Sequence, residues 1–360
     1  MKYRKLSHAE ITGKNALISA KGIAIVLLVA LSTVGFATTR YVNVNNSNPM
    51  SPYTSWATAA TNIQDAIDIP SFGATLILVT NGVFQTGGRV ANGSTATTNR
   101  VSLDWPEPVT VQSVNGPAVT IIQGYQLPGS TNGDSAIRCA YLTAKASLIG
   151  FTLTNGATGT NLLNVGSYVG GGAYSSGVLS NCVIVGNAAF VEGGGALSGT
   201  YENCLFTGNT APSGGAVVEG ILNNCTVTGN SASIEGGGLF DSGGAGTGSS
   251  PPMSANNCIV YGNTAPVGSN YYPSTMVQLN FSCTTPMSTN GLGNITNDPA
   301  FVNPAVNDFH LQSNSPCINA GENAYAPSGS DLDGNPRIVG GTVDMGAYEY
   351  QTPTSIISYA

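Results

Sequence analysis

The sequence predicts an all-β fold: a single-stranded right-handed parallel β-helix, a solenoid of about a dozen coils with a short N-terminal capping helix. Two observations predict it. The segments Leu179-Ser-Asn-Cys-Val-Ile-Val-Gly-Asn187, Tyr201-Glu-Asn-Cys-Leu-Phe-Thr-Gly-Asn209, Leu222-Asn-Asn-Cys-Thr-Val-Thr-Gly-Asn230 and Ala255-Asn-Asn-Cys-Ile-Val-Tyr-Gly-Asn263 share one template, with cysteines 182, 204, 225 and 258 spaced by 22, 21 and 33 residues. A fixed period in the twenties with short β-type segments is the mark of stacked coils. Within each template the side chains alternate with period two. Cys182 and Ile184, Cys204 and Phe206, Cys225 and Val227, and Cys258 and Val260 therefore face inward, and Thr207, Thr226, Thr228 and Tyr261 face outward.

The elements follow in chain order. Lys2, Arg4, Lys5, Lys14 and Lys21 precede an uncharged run from Gly22 to Phe36, which reads as a secretory signal, residues 1–37, cut after Ala37. An uncleaved single-span anchor is the alternative, weakened by Ser32, Thr33 and Gly35. Residues 38–125 read as a cap and the first coils. From Trp56 to Ile69, Ile63, Ala66 and Ile67 recur at helical spacing, and Ala74-Thr-Leu-Ile-Leu-Val-Thr80 follows as an apolar strand. A helix there would cover the open edge of the first coil. Val109-Thr-Val-Gln112 and Val119-Thr-Ile-Ile122 flank a turn at Asn115-Gly116-Pro117. Residues 126–290 are the central repeats, with insertions at Ala157–Val169 and Asp241–Met253, residues 291–350 are C-terminal coils, and 351–360 is a tail.

Stacking turns identical residues into ladders. Asn181, Asn203, Asn224 and Asn257 form one candidate, and Asn187, Asn209, Asn230 and Asn263 a second, whose amides can bond along the stack. Glycine clusters at 170–172, 193–195, 214–215 and 236–238 supply corners. Phe151 stands where Cys182, Cys204, Cys225 and Cys258 recur. Those four are expected to pack as free thiols, because parallel neighbours rarely meet the disulfide torsion. Cys139, Cys283 and Cys317 lie outside the ladder, and Cys283 with Cys317 is the pair to test for a bridge.

Charge narrows the partners. The whole chain carries −7, and removal of the signal, with five of its 11 basic and one of its 18 acidic residues, leaves −11. Nucleic acid and anionic membrane are poor partners for such a chain. No stable membrane span remains after cleavage, a monomer is expected, and a polysaccharide or cell-surface glycan is the candidate ligand. Between Lys145 and Arg337 there is no Lys or Arg, so chemistry in that stretch must do without a cationic side chain.

The chain resembles the right-handed parallel β-helix, or pectin-lyase-like, superfamily, and within it secreted β-helix proteins ending in a choice-of-anchor Q domain. The resemblance rests on Thr110-Val-Gln-Ser-Val-Asn-Gly-Pro117, Gly150-Phe-Thr-Leu-Thr-Asn-Gly156, the Asn-Cys and Gly-Gly-Gly-Ala repeats, Asp298-Pro-Ala-Phe-Val302, Ser315-Pro-Cys-Ile-Asn-Ala-Gly321 and Asp331-Leu-Asp-Gly-Asn-Pro-Arg337, running to Asp344-Met-Gly-Ala-Tyr-Glu-Tyr350. These motifs are specific to the architecture and not to an activity. Gly214-Gly-Ala216 and Phe206-Thr-Gly-Asn209 also resemble repeats of polymorphic outer-membrane adhesins, although ten residues after Tyr350 leave no room for a barrel.

The superfamily includes lyases and glycosidases, so catalysis needs a test. The resemblance implies, for lyases, calcium-binding carboxylates with a Lys or Arg base, which the cation-free stretch lacks. The polygalacturonase motifs Asn-Thr-Asp, Asp-Asp, Gly-His-Gly and Arg-Ile-Lys are missing too. His310, in Asp308-Phe-His-Leu311, reads as a strand residue without a visible catalytic partner. Glu192 and Glu235 each precede a glycine triplet two coils apart, about 9–10 Å by strand spacing, with Pro212 offered by the coil between. Asp331, Asp333 and Asn335 resemble the opening of a calcium loop, without the closing glutamate. A hydrogen-bonded turn with Arg337 paired to Asp331 or Asp344 is the other reading. No cofactor is expected apart from that candidate Ca²⁺. Tyr168, Tyr201, Tyr261, Tyr271 and Tyr272 are candidate exposed aromatics. Three functions stay open: a non-catalytic, adhesin-like secreted or cell-surface protein that binds glycan or another surface, with contacts concentrated at the two insertions, a lyase or hydrolase using Glu192, Glu235 or carboxylates nearby, and a purely structural surface protein.

Overall fold

The computed structural model describes residues 38–91, 97–241, 243 and 253–351. The segment read as a signal, most of the Asp241–Met253 insertion and the tail after Gln351 lie outside the described residues.

Three sheets of nine, eight and seven strands, parallel but for one edge strand, run along the stack, and the central coils each contribute one strand in turn to each sheet. The chain is a right-handed parallel β-helix, the hand that parallel crossovers take. One edge strand, Arg89–Val90, is antiparallel to its neighbour Thr98–Leu103. Each sheet turns one row of side chains inward. The nine-stranded sheet supplies Ile77, Val111, Leu148, Leu179, Tyr201, Leu222, Ala255 and Leu279. The eight-stranded sheet supplies Phe84, Ile122, Leu153, Ile184, Phe206, Val227 and Val260, and the seven-stranded sheet Val101, Ala140, Ala173, Ala196, Val217 and Leu239. A buried Leu, Ile, Val or Phe contributes about 1.5–3 kcal/mol, so these rows hold the stack together.

Among the described residues nine rungs stand in place of the expected dozen, because the early coils are long. Thr38 pairs with Thr75, Thr75 with Val109, Val109 with Ala146 and Ser147 with Val178, steps of 37, 34, 37 and 31 residues. Val178 to Thr200 and Thr200 to Ile221 are the 22- and 21-residue steps that the cysteine spacing predicts.

The cap is shorter than the expected 56–69. A 3-10 turn at Trp56–Thr58 precedes an α-helix at Ile63–Ile67, where the side chain of Asn62 accepts the amide of Asp65 and Ile63, Ala66 and Ile67 are buried. Arg40 stands in register with Ile77, at the first place of an inward row. Its guanidinium donates to the carbonyls of Ala66 (2.8 Å), Ile69 (2.7 Å) and Pro70 (3.1 Å). One cation thus satisfies carbonyls left open at the end of the capping helix.

Residues 291–350 do not continue as coils. After a bridge at Ile295, the chain forms two short antiparallel hairpins, Phe301–Asn303 with Asp308–Leu311 and Ile338–Val339 with Thr342–Val343. This segment lies across the outer side of the eight-stranded sheet. Phe309, Leu332 and Ala347 pack on Leu205 and Val183, and Leu311, Cys317 and Met345 on Ile259 and Cys283. Thr207, Thr226 and Thr228, expected on the outer face, do point outward; Thr226 is buried beneath this segment and accepts the amide of Ala347, and Thr207 and Thr228, largely covered, face the groove at its edge.

Candidate functional site

The asparagines at the corner between the nine- and eight-stranded sheets set the position of the C-terminal segment. Asn181, Asn203, Asn224 and Asn257 each adopt a left-handed backbone, φ +51°, +51°, +50° and +53°, which asparagine tolerates better than other side chains. Gly150 and Phe281 hold the same corner at either end of the row. The expected amide ladder along this row is confined to Asn257, which donates to Asn224 (3.1 Å). The others reach sideways, Asn203 to the carbonyl of Ser330 (2.9 Å), Asn224 to that of Asp344 (2.9 Å) and Asn181 to that of Asp331. The second row does bond along the stack: Asn187 donates to Asn209 (3.0 Å), Asn209 to Asn230 (2.9 Å), Asn230 to Asn263 (2.9 Å) and Asn263 to Asn270 (3.2 Å).

A groove of about 710 Å³ opens between the coil corners and the C-terminal segment. Thr207, Thr228 and Tyr261 occupy one column on successive rungs of its floor, about 4.8 Å apart. Asp298, Phe301, Asn307 and Gln312 form the opposite wall. Gln312 is anchored by a 2.8 Å bond to the carbonyl of Phe301, and the carboxylate of Asp298 accepts the amide of Ala300 (2.8 Å). Burial and then Asp298 push the Tyr261 phenol above its ordinary range. Asp298 is the charged residue of this lining, which carries no cation. A second groove, about 540 Å³, flanks the C-terminal segment on its other side and is lined by Asn115, Thr152, Asn181, Asp333 and Tyr348 among others.

His310, in the strand Asp308–Leu311, meets carboxylates at both ring nitrogens: Asp308 at Nδ1 and Asp333 at Nε2, each 2.6 Å away. Its ring lies 4.2 Å from that of Tyr348. The bond to Asp333 leads in raising its pKa to about 9, so both nitrogens donate at neutral pH. The bond from His310 in turn holds Asp308 below the usual carboxylate range. An imidazolium with both protons engaged is an electrostatic clamp and not a free base.

The Asp331 carboxylate is occupied. Oδ1 accepts the amides of Asp333 (3.1 Å) and Asn335 (2.8 Å), and Oδ2 that of Glu349 (3.0 Å). The geometry is the hydrogen-bonded turn, and Asp333 is turned toward His310. The partner of Arg337 is neither Asp331 nor Asp344 but Glu349 (2.9 Å). Asp344 instead accepts the amides of Asn319 and Tyr350. Among the described residues, no group of three or more His, Cys, Asp or Glu is arranged to hold a metal ion.

Glu192 and Glu235 share a column, with Ser213 between them: Glu192 bridges Ser213, and Ser213 pairs with Glu235. The intervening residue is thus Ser213 and not Pro212. Burial, and then the nearby Glu219, raise the Glu192 carboxyl above its ordinary range. Of the five tyrosines expected on the surface, Tyr201 and Tyr271 are buried, Tyr201 in the Leu179–Leu222 row. Tyr168 and Tyr272 are half-buried against Val169, Leu197, Val218 and Phe240, and Tyr261 lines the larger groove.

Sequence reasoning missed Arg138, fully buried, which fastens the Ala157–Val169 insertion by donating to the carbonyls of Gly166 (2.6 Å), Val169 (2.8 Å) and Gly170 (2.7 Å). It also missed the groove wall, which belongs to the C-terminal segment. All seven cysteines are free and buried. Among the described residues, no helix is long and apolar enough to cross a membrane.

No family profile matches the chain, and no curated protein matches it. Among solved structures it is similar to the crystal structure of pectate lyase Pel9A, at 14% identity and a TM-score of 0.45 over 87% of this chain and 96% of that one.

Proposed function

We propose that this chain is an exported or cell-surface protein that binds a neutral glycan in the larger groove without cleaving it. The observation that carries the reading is the column Thr207–Thr228–Tyr261 facing Asp298, Asn307 and Gln312: repeated hydroxyls and one aromatic ring opposite a carboxylate and two amides. Sugars expose hydroxyls at their edges and C–H groups on their faces, so a polar wall and a tyrosine offer complementary contacts. The absence of a cation from the lining favours a neutral over an acidic polysaccharide. The net charge of −7 disfavours nucleic acid as a partner.

The test is a glycan array followed by calorimetric titration of the best neutral hit. Tyr261→Ala and Gln312→Ala are expected to weaken binding at least about tenfold, the loss of roughly 1.4 kcal/mol. Equal affinity in wild type and both variants would remove the groove from the reading.

Cleavage of a polysaccharide is the second reading, and the raised carboxyl of Glu192 favours it, since a general acid needs such a shift. Its partner would be Glu235, across Ser213. Reducing-end and unsaturated-product assays on a polysaccharide panel, with and without Ca²⁺, separate the readings. Product formation abolished by Glu192→Gln would establish cleavage in place of binding.

A further inference from the structure

We propose that Cys283 and Cys317 are an oxidisable pair whose disulfide staples the C-terminal segment to the last coil. The repeat slips by one residue at its last rung. The inward slot held by Cys182, Cys204, Cys225 and Cys258 passes next to Ser282, whose hydroxyl accepts the amide of Cys258 (3.0 Å) and donates to the carbonyls of Ala255 (3.1 Å) and Asn280 (2.8 Å). Cys258 makes the same two bonds one rung earlier, to Leu222 and Asn256. Cys283 is therefore one residue out of the ladder. It pairs in register with Ile259, whose side chain faces outward, and it sits in the buried cluster of Ile259, Leu311, Cys317 and Met345.

Cys317 reaches that cluster from the opposite side. Its amide is fixed by the hydroxyl of Ser315 (3.2 Å) and its carbonyl by the amide of Met345 (3.0 Å). The Cys283 thiol donates to the carbonyl of Asn297 (3.1 Å) inside the cluster it shares with Cys317, and its nearness, before burial, pushes the Cys317 thiol well above its ordinary range. The ladder thiols, which also touch one another, differ in how they approach. Each is stacked parallel on its neighbour and gives its proton to a carbonyl of the adjacent rung, as Cys204 does to Leu179 (3.4 Å) and Cys225 to Tyr201 (3.4 Å). Parallel stacking disfavours the disulfide torsion, whereas two segments converging across a cluster are free of that restriction.

The oxidant is a small-molecule or protein disulfide. The thiolate of one cysteine attacks it, forming a mixed disulfide and expelling one thiol. The thiolate of the second cysteine then attacks the mixed disulfide, closing the Cys283–Cys317 bond and expelling the second thiol. Both cysteines lose a proton, and the oxidant takes up the two electrons. Burial suppresses the thiolate, so closure accompanies folding, before the segment has settled. The ring so closed carries the groove wall, Asp298 to Gln312.

The test compares full-length protein kept reduced with protein refolded in oxidised and reduced glutathione, and with protein exported to a bacterial periplasm. Each is denatured and alkylated without reduction, and then mapped by peptide mass. The reduced sample should alkylate at all seven cysteines, and the other two at five, with a 283–317 linked peptide and an unfolding midpoint raised by about 5 °C. Cys317→Ser should alkylate at six under every condition. Seven alkylated cysteines in both oxidised samples, or a link joining two ladder cysteines, would overturn the proposal. Ligand binding plays no part in this readout, so it stands or falls apart from the glycan reading.

Discussion

The guanidinium of Arg337 lies 2.9 Å from the carboxylate of Glu349, with the two side chains only 2% and 1% exposed. The same guanidinium donates to the carbonyls of Gly346 and Ala347 and to Asn203, and Glu349 accepts the amides of Val339 and Asp344. The pair joins the end of the C-terminal segment to the coil corner. Arg337→Met leaves Glu349 buried and unpaired and is expected to cost about 3–5 kcal/mol. Adding Glu349→Leu should cost less than the sum of the single changes, measured by urea unfolding as a double-mutant cycle.

His310 gives stability a basic limit. Its folded pKa, about 9, lies above the ordinary 6.5, so the protonated form is the one that folding favours. The clamp between Asp308 and Asp333 contributes fully below about pH 6.5 and is lost as pH rises through about 9. Protection of Asp308–Leu311 amides from hydrogen exchange should fall across that window after correction for the intrinsic rate. His310→Gln should remove this pH dependence.

The central coils were legible because identical residues at a fixed step can only stack, and Asn209 over Asn230 with Phe206 over Val227 follow from spacing alone. The early coils were not, because the residues between Thr38 and Thr75 or between Thr75 and Val109 are mostly turn and cap, which carry no repeat. The path of the C-terminal segment was hidden for another reason. Its contacts are side-chain amides meeting backbone carbonyls, such as Asn203 with Ser330, and any sequence offers a carbonyl. One signal was present. Val183-Ile184-Val185 and Leu205-Phe206 are continuous apolar runs, and a strand apolar on both faces is covered on both. The groove was illegible for the same cause, since its wall belongs to that segment.

The corner asparagines separate backbone strain from contact. At Asn203, φ +51° costs a residue with an ordinary Cβ roughly 1–2 kcal/mol, which glycine escapes. Asn203→Gly therefore loses only the contacts to Ser330 and Arg337, while Asn203→Ala loses them and adds the strain. Urea midpoints should rank wild type above Asn203→Gly and Asn203→Ala lowest. Equal values for the two variants would contradict a left-handed corner there.

Two glycines predict opposite severities. A Cβ on Gly194 would stand 2.3 Å from the carbonyl oxygen of Thr210 and 2.5 Å from that of Gly215, both backbone atoms of the next rung. Gly194→Ala must push coils apart, and soluble yield should collapse. Gly208 has φ +64°, but its added Cβ meets nothing nearer than the Gly186 nitrogen at 3.8 Å. Gly208→Ala should fold with a loss of only about 1–2 kcal/mol.

Calcium binding at the Asp331-Leu-Asp-Gly-Asn335 turn would require rebuilding it. A calcium site draws on six to eight oxygens, carboxylates foremost. Here three backbone amides already point at Asp331, and each is a positive dipole end that a cation would have to displace. Asp333 is held by protonated His310, whose charge would repel the ion at neutral pH. Calorimetric titration with Ca²⁺ at pH 7 is therefore expected to give no binding heat and no rise in unfolding temperature. His310→Gln removes the repelling charge and frees Asp333, yet leaves Asp331 engaged, so it too should stay silent. Uptake by the variant alone would show that His310, and not the amide-filled turn, keeps the ion out.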